Sequence, residues 1–159
     1  MGESCIKMAL LYCNIFSLTD SGPGVIIRQW GNDPTKTFIF HRQIQVGDRS
    51  ITIRVARHFY VPGTVIRSPP PSNIMLVVYD LADRASFTPL DSILKSLPYN
   101  RVLVASSTGD RQISYVEGAA LAKTYNIPFY ELPTDPDTIL KDAILQYYPP
   151  PATSSCALL

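Results

Sequence analysis

Two rhythms of apolar residues alternate along the chain. Short runs with nearly every position apolar are followed by longer stretches in which apolar residues recur every three or four positions. Residues 6–12 (IKMALLY) form the first run, bounded by Cys13 and Asn14. That pattern predicts a central strand buried on both faces. Residues 38–46 (FIFHRQIQV) and 50–55 (SITIRV), joined through Gly47-Asp48-Arg49, predict a tight antiparallel hairpin. Residues 74–79 (IMLVVY) and 101–105 (RVLVA) are short runs with abrupt polar ends, the mark of parallel strands. Residues 86–97 place Phe87, Leu90, Ile93, Leu94 and Leu97 at helical spacing, and residues 114–125 do the same with Val116, Ala119, Ala120, Leu121 and Tyr125. Ser114 followed by Glu117 is a capping box, so that helix has a marked start. Residues 126–130 predict a short strand, and 137–148 a last helix stopped by Pro149, Pro150 and Pro151. Strand and helix alternating at these lengths predict an α/β fold. It is a doubly wound, mostly parallel six-stranded sheet with one antiparallel edge hairpin.

Such sheets bind ligands beyond the carboxyl ends of their strands. Those ends are residues 13–20, 56–58, 80–83, 105–110 and 131–135. Composition narrows what could bind there. The 159 residues are 46% hydrophobic and 17% charged, with a net charge of +1, so a broad basic surface for nucleic acid is not expected. No apolar run approaches the length of a membrane span. The first run has one Lys before it and no clear small-residue cleavage site, which reads as a strand and not a signal peptide. Cys5, Cys13 and Cys156 fit neither a metal spacing nor a disulfide framework, so a reducing cytoplasm is expected. The 14 prolines concentrate at 62–71, 133–136 and 149–151. The last group separates a domain over 1–148 from a tail over 149–159.

The second half resembles the small GTPases of the Ras/Rab superfamily. Residues 75–87 (MLVVYDLADRASF) are similar to that family's fourth strand and the loop into its third helix. Residues 101–104 and 110–131 are similar to its fifth strand, fourth helix and sixth strand. Residues 6–57 match by order of elements only. The resemblance implies a Ras-like P-loop GTPase fold, and it directs attention to four nucleotide motifs.

Each motif departs from the family pattern. The phosphate loop needs glycines, so that backbone N–H groups wrap the phosphates, and a Lys to neutralise them. The matching residues, Cys13-Asn-Ile-Phe-Ser-Leu-Thr-Asp20, have neither, and Asp20 stands where a Mg²⁺-binding hydroxyl belongs. The Asp-x-x-Gly that handles metal and water is replaced by Arg54-Val-Ala-Arg-His-Phe59. There His58 is either a water-orienting side chain or a structural one. After it, Pro69, Pro70 and Pro71 cannot sit in a helix interior, so the second helix is expected to be lost. Asp33-Pro34-Thr35 resembles the first switch, with Thr35 or Thr37 as the metal-capping hydroxyl. The guanine reader is replaced by Ala105-Ser-Ser-Thr-Gly-Asp110, with Asp110 one residue late. A triphosphate with Mg²⁺ brings several negative charges to close range. A loop bearing Asp20 and no Lys adds charge of the wrong sign.

Cys156-Ala-Leu-Leu159 is a prenylation box of the geranylgeranyl kind. Its spacer carries no Lys or Arg and no second Cys, so one lipid implies reversible attachment to a cytoplasmic membrane face or capture by a prenyl-binding chaperone. Gly2 is followed by Ile6 where N-myristoylation wants Ser or Thr. Trp30 and the pair Tyr147-Tyr148 read as core or rim residues, and residues 67–72 as a surface loop or a short polyproline ligand. The resulting expectation is a prenylated Ras-like pseudo-GTPase that binds protein partners without a nucleotide cofactor. The alternative is a divergent GTPase that holds GTP or GDP with Mg²⁺ through Thr19, Asp20, Thr35 and Asp110, with slow or no hydrolysis.

Overall fold

The structure is a computed structural model that describes residues 10–18, 22–33, 39–59, 72–97 and 100–149. Its elements are β1 (Leu10–Ser17), α1 (Gly22–Gln29), β2 (Ile39–Val46), β3 (Arg49–Phe59), β4 (Ile74–Asp80), α2 (Arg84–Phe87), α3 (Leu90–Ser96), β5 (Arg101–Ser106), α4 (Tyr115–Thr124), β6 (Phe129–Glu131) and α5 (Pro136–Tyr147). The six strands form one sheet in the order β2-β3-β1-β4-β5-β6. Every pairing is parallel except the β2–β3 hairpin. The fold is therefore α/β with a mostly parallel sheet and one antiparallel edge pair, as the hydropathy pattern predicts.

The reason lies in which side chains are dry. All seven residues of β4 are buried, because helices cover both faces of the sheet there. Leu11, Cys13 and Ile15 of β1 and Leu76 and Val78 of β4 pack on one face with Ile26 and Ile27 of α1 and Ile139, Leu140 and Ile144 of α5. On the other face Met75, Val77 and Tyr79 pack with Ile93 and Leu94 of α3 and Ala122 of α4. Gly47, at φ +62°, opens the two-residue hairpin turn in a conformation that costs any other residue strain.

Several boundaries move. The first strand does not stop at Tyr12 but runs on through Ser17 as β1, while its expected beginning over residues 6–9 lies outside the described residues. Asn14 does not stop it. Asn14 is buried within the ladder, where its Oδ1 meets His58 Nε2 at 3.2 Å and its N–H donates to Ser72 Oγ at 3.3 Å. Likewise β3 continues to Phe59 and not to residue 55, since Ala56 and His58 pair with Asn14 and Phe16 of β1. The helix expected over 86–97 is two helices. Asp83 caps α2 by accepting from the Ala85 N–H, and Pro89, which has no N–H to continue a ladder, begins α3 as its N-cap. The capping box at Ser114 and Glu117 forms as expected. The expected loss of a second helix falls on residues 60–71, outside the described residues.

One polar cluster ties the hairpin to the helical layer. Asp137, in the first turn of α5, accepts from Trp30 Nε1 at 2.7 Å and from Arg42 Nε and Nη2 at 2.6 and 2.7 Å. The Arg42 guanidinium, then the Trp30 indole, hold the Asp137 carboxyl below the usual carboxylate range against the cost of burial. Trp30 also meets Phe40 edge-on, with ring centroids 5.5 Å apart. A second constraint is steric. A Cβ on Gly118 of α4 would lie 2.4 Å from Tyr79 Oη and 2.6 Å from Phe129 Cζ. The Tyr79 hydroxyl is buried there without a hydrogen-bond partner among the described residues.

Two predictions follow from these contacts. Asp137→Ala and Arg42→Ala each lower the unfolding free energy by about 2 kcal/mol, and a double-mutant cycle in urea gives a coupling of about 1 kcal/mol. Because the folded Asp137 pKa is depressed, this stabilisation is complete above the unfolded value of about 4 and is lost as pH falls through the folded value. Gly118→Ala costs about 2 kcal/mol by overpacking. Tyr79→Phe is neutral or stabilising by up to about 1 kcal/mol, since it removes an unpartnered buried hydroxyl, and it recovers part of the Gly118→Ala loss.

Candidate functional site

Strand order reverses between β1 and β4, so the connections leaving these two strands frame the crevice where an α/β sheet ordinarily binds its ligand. The first residue past β1 is Leu18, whose N–H donates to the Val78 carbonyl at 3.2 Å and whose side chain packs partly buried on the α3–α4 face. The first residue past β4 is Leu81, which is buried. Both lips of the crevice that are described are thus apolar.

Asp80 ends β4 and is 2% exposed. Its Oδ1 accepts from the Ala82 N–H at 2.9 Å and the Thr108 N–H at 3.3 Å, and its Oδ2 accepts from the Thr108 hydroxyl. The adjoining backbone is equally engaged. The Leu81 N–H donates to the Ser106 carbonyl at 2.8 Å, and the Leu81 carbonyl accepts from Gln112 and Ile113. Ser86 Oγ accepts from the Asp80 N–H at 2.9 Å and donates to the Asp83 carbonyl at 2.7 Å. These bonds knit the loop after β4 to the loop after β5.

Two ion pairs close this edge. Arg84 Nη1 meets Glu117 Oε1 at 2.5 Å, and Arg84 Nη2 donates to the Gln112 carbonyl at 2.6 Å. Arg84, followed by the Ser114 N–H and hydroxyl, holds the Glu117 carboxyl down to about 2. Arg111 grips Glu131, at the end of β6, in a bidentate fork at 3.0 and 2.8 Å, a geometry that satisfies both groups. Among the described residues, no cluster of His, Cys, Asp or Glu is arranged to hold a metal ion.

Of the four residues named for nucleotide binding, Asp110 is described. It sits exposed at the tip of the loop after β5 and makes no hydrogen bond or ion pair among the described residues. Thr19, Asp20, Thr35 and Cys156 lie outside the described residues. Residues 13–17, aligned above with a phosphate loop, are instead the second half of β1. Their backbone is committed to the ladders with β3 and β4. His58 sits inside β3 against Asn14, half-buried, and burial and then the neighbouring Arg54 push its pKa down. Sequence reasoning missed the Asp80–Thr108 lock. A signal for it exists in hindsight: a carboxylate closing an apolar run, and a Ser/Thr-rich loop closing the next.

Asp80→Ala is expected to cost about 3 kcal/mol, because it leaves the Thr108 and Ala82 donors without an acceptor, whereas Thr108→Val costs about 1 kcal/mol. Both are read from chemical unfolding. His58 adds a pH dependence with a defined sign. Its unfolded pKa is about 6.5 and its folded value lies lower, so below pH 6.5 the unfolded chain binds a proton that the folded chain refuses. Stability is level above about pH 6.5 and declines below it, by at most about 1.4 kcal/mol per pH unit. His58→Asn removes that decline in urea midpoints measured across the range. No family model matches the chain, and no curated protein matches it.

Proposed function

We propose that this chain is a docking module on a Ras-like scaffold, one that engages protein partners without a bound nucleotide. The observation that carries the reading is the crevice at the β1–β4 switch point. Its carboxylate, Asp80, is consumed by three donors, its described lips are Leu18 and Leu81, and its arginines Arg84 and Arg111 are already paired. A polyphosphate needs free N–H groups and free cations at close range. Supplying them here would require breaking several of these bonds at once.

The lipid belongs to the same proposal. A geranylgeranyl group on Cys156 would bring the module to a cytoplasmic membrane face. No helix among the described residues is long and apolar enough to cross a membrane. Membrane attachment in this reading therefore rests on that group.

One observation favours a second reading, a divergent GTPase: the Asp110 carboxylate is exposed and uncommitted, as a base-reading group must be. Titration of a fluorescent GTP or GDP analogue with Mg²⁺ separates the two. The docking reading expects no saturable binding tighter than ~10 µM (about −7 kcal/mol). Saturable binding that Asp110→Ala abolishes establishes the second reading in its place. The lipid is checked by detergent phase separation of the full chain made in eukaryotic cells. Wild type should enter the detergent phase and Cys156→Ser the aqueous one, and equal partitioning removes the membrane part of the proposal.

A further inference from the structure

We infer that the sheet face formed by β1, β3 and β2, on the side away from α1 and α5, docks an acidic segment of a partner protein in extended conformation. The inference rests on the docking reading above and names the chemistry of the partner. The strand registers set out the face row by row. Tyr12 of β1 lies beside Arg54 of β3, which lies beside His41 of β2. The next row is Leu10, Thr52 and Gln43. Tyr12 is 42% exposed and Leu10 39%, and His41 and Gln43 are exposed as well. The Arg54 guanidinium stands over the Tyr12 ring, 5.7 Å from its centroid, and meets no carboxylate among the described residues. No residue of either row is acidic. Each polar side chain in them can donate a hydrogen bond.

Charge is segregated to the same ribbon. Residues 39–59 contain Arg42, Arg49, Arg54 and Arg57 against the single carboxylate Asp48, while the whole chain is only +1. The remainder of the molecule is thus net acidic and repels the ligand that this ribbon attracts. Arg42 is spent on Asp137 within the fold, which leaves Arg54 as the planar fork at the centre of the face. A guanidinium already stacked on an aromatic ring presents its N–H groups at a fixed angle to a carboxylate or phosphate oxygen.

Geometry selects an extended segment. Rows 54 and 52 are two residues apart along one strand, roughly 6.8 Å. That is also the spacing of alternate side chains in an extended peptide. A carboxylate on Arg54 therefore places the next same-side group over Thr52 and Gln43. A lipid surface fits less well. A single basic residue holds an anionic membrane only weakly, and stable attachment takes a cluster of several. Leu10 and Tyr12 stand among polar neighbours of the same sheet face.

The test is a fluorescence-anisotropy titration of the full chain with an end-blocked peptide of alternating Glu and Val. Its Lys-Val counterpart and phosphatidylserine-doped vesicles serve as the other arms. Saturable binding of the Glu peptide alone is expected. Arg54→Glu should weaken it about tenfold or more, and Arg54→Lys should weaken it by less, as the loss of a planar fork with its charge kept. Lys123→Glu, an equal charge change on the exposed face of α4, should leave it within about twofold. No saturable peptide binding, or an equal loss in Lys123→Glu, overturns the inference. Arg54-dependent binding of vesicles without binding of peptide overturns it in favour of lipid. Tight nucleotide binding would defeat the docking reading without altering this titration, so the two can fail separately.

Discussion

A carboxylate at the dry end of the middle of a sheet must have its oxygens satisfied by the protein itself, and Asp80 meets that requirement with Ala82 and Thr108. Much else is arranged around it. Holding Thr108 places the loop after β5 against the loop after β4, where the Leu81 carbonyl collects Gln112 and Ile113. That fixes the start of α4, whose capping box and Arg84 contact close the same edge. An unpaired buried carboxylate costs far more than any one of these bonds contributes. The lock is therefore a condition of folding as well as a feature of the site.

The same arrangement shapes what the crevice is able to do. Asp110 apart, the described charged groups that would face a ligand in an open α/β crevice face one another here. Glu131 is turned to Arg111 and Glu117 to Arg84, both in short, charge-assisted contacts. The functional weight of the proposal accordingly shifts from the strand ends to a sheet face. There Arg54 and Tyr12 meet no acidic side chain among the described residues, and the charge of the ribbon contrasts with that of the rest of the chain. The two regions share β1. The ladder that pairs buried Asn14 with half-buried His58 separates the closed crevice from the open rows at Leu10 and Tyr12.

Local chemistry made much of the fold legible. The uninterrupted run of β4 needs two covering layers, and the Ser114–Glu117 spacing has one economical use. The Gly47-Asp48 turn sets the hairpin register, because a one-residue slip would expose Ile44, Ile51 and Ile53. Less legible were the points where a polar residue stays inside a strand. Asn14 reads as a strand end until His58 and Ser72 are seen to satisfy it, and β3 reads as ending early for the same reason. Pro89 reads as tolerable within an amphipathic pattern because it falls where one helix can stop and another start.

The alternation of strands with helices, the antiparallel hairpin, and the lack of a glycine or Lys within residues 13–20 followed from sequence alone. All three depend on residue types read within a few positions of each other. Which charges pair was decided only in three dimensions. Arg42 and Asp137 are 95 positions apart, Arg84 and Glu117 are 33, and Asp80 and Thr108 are 28. No local pattern encodes such partnerships, since they arise when separate loops are brought to one edge by burial of the strands beneath them. For the same reason Arg54, one of many arginines in the sequence, became distinct only when the sheet set it beside Tyr12 and His41 with no carboxylate in reach among the described residues.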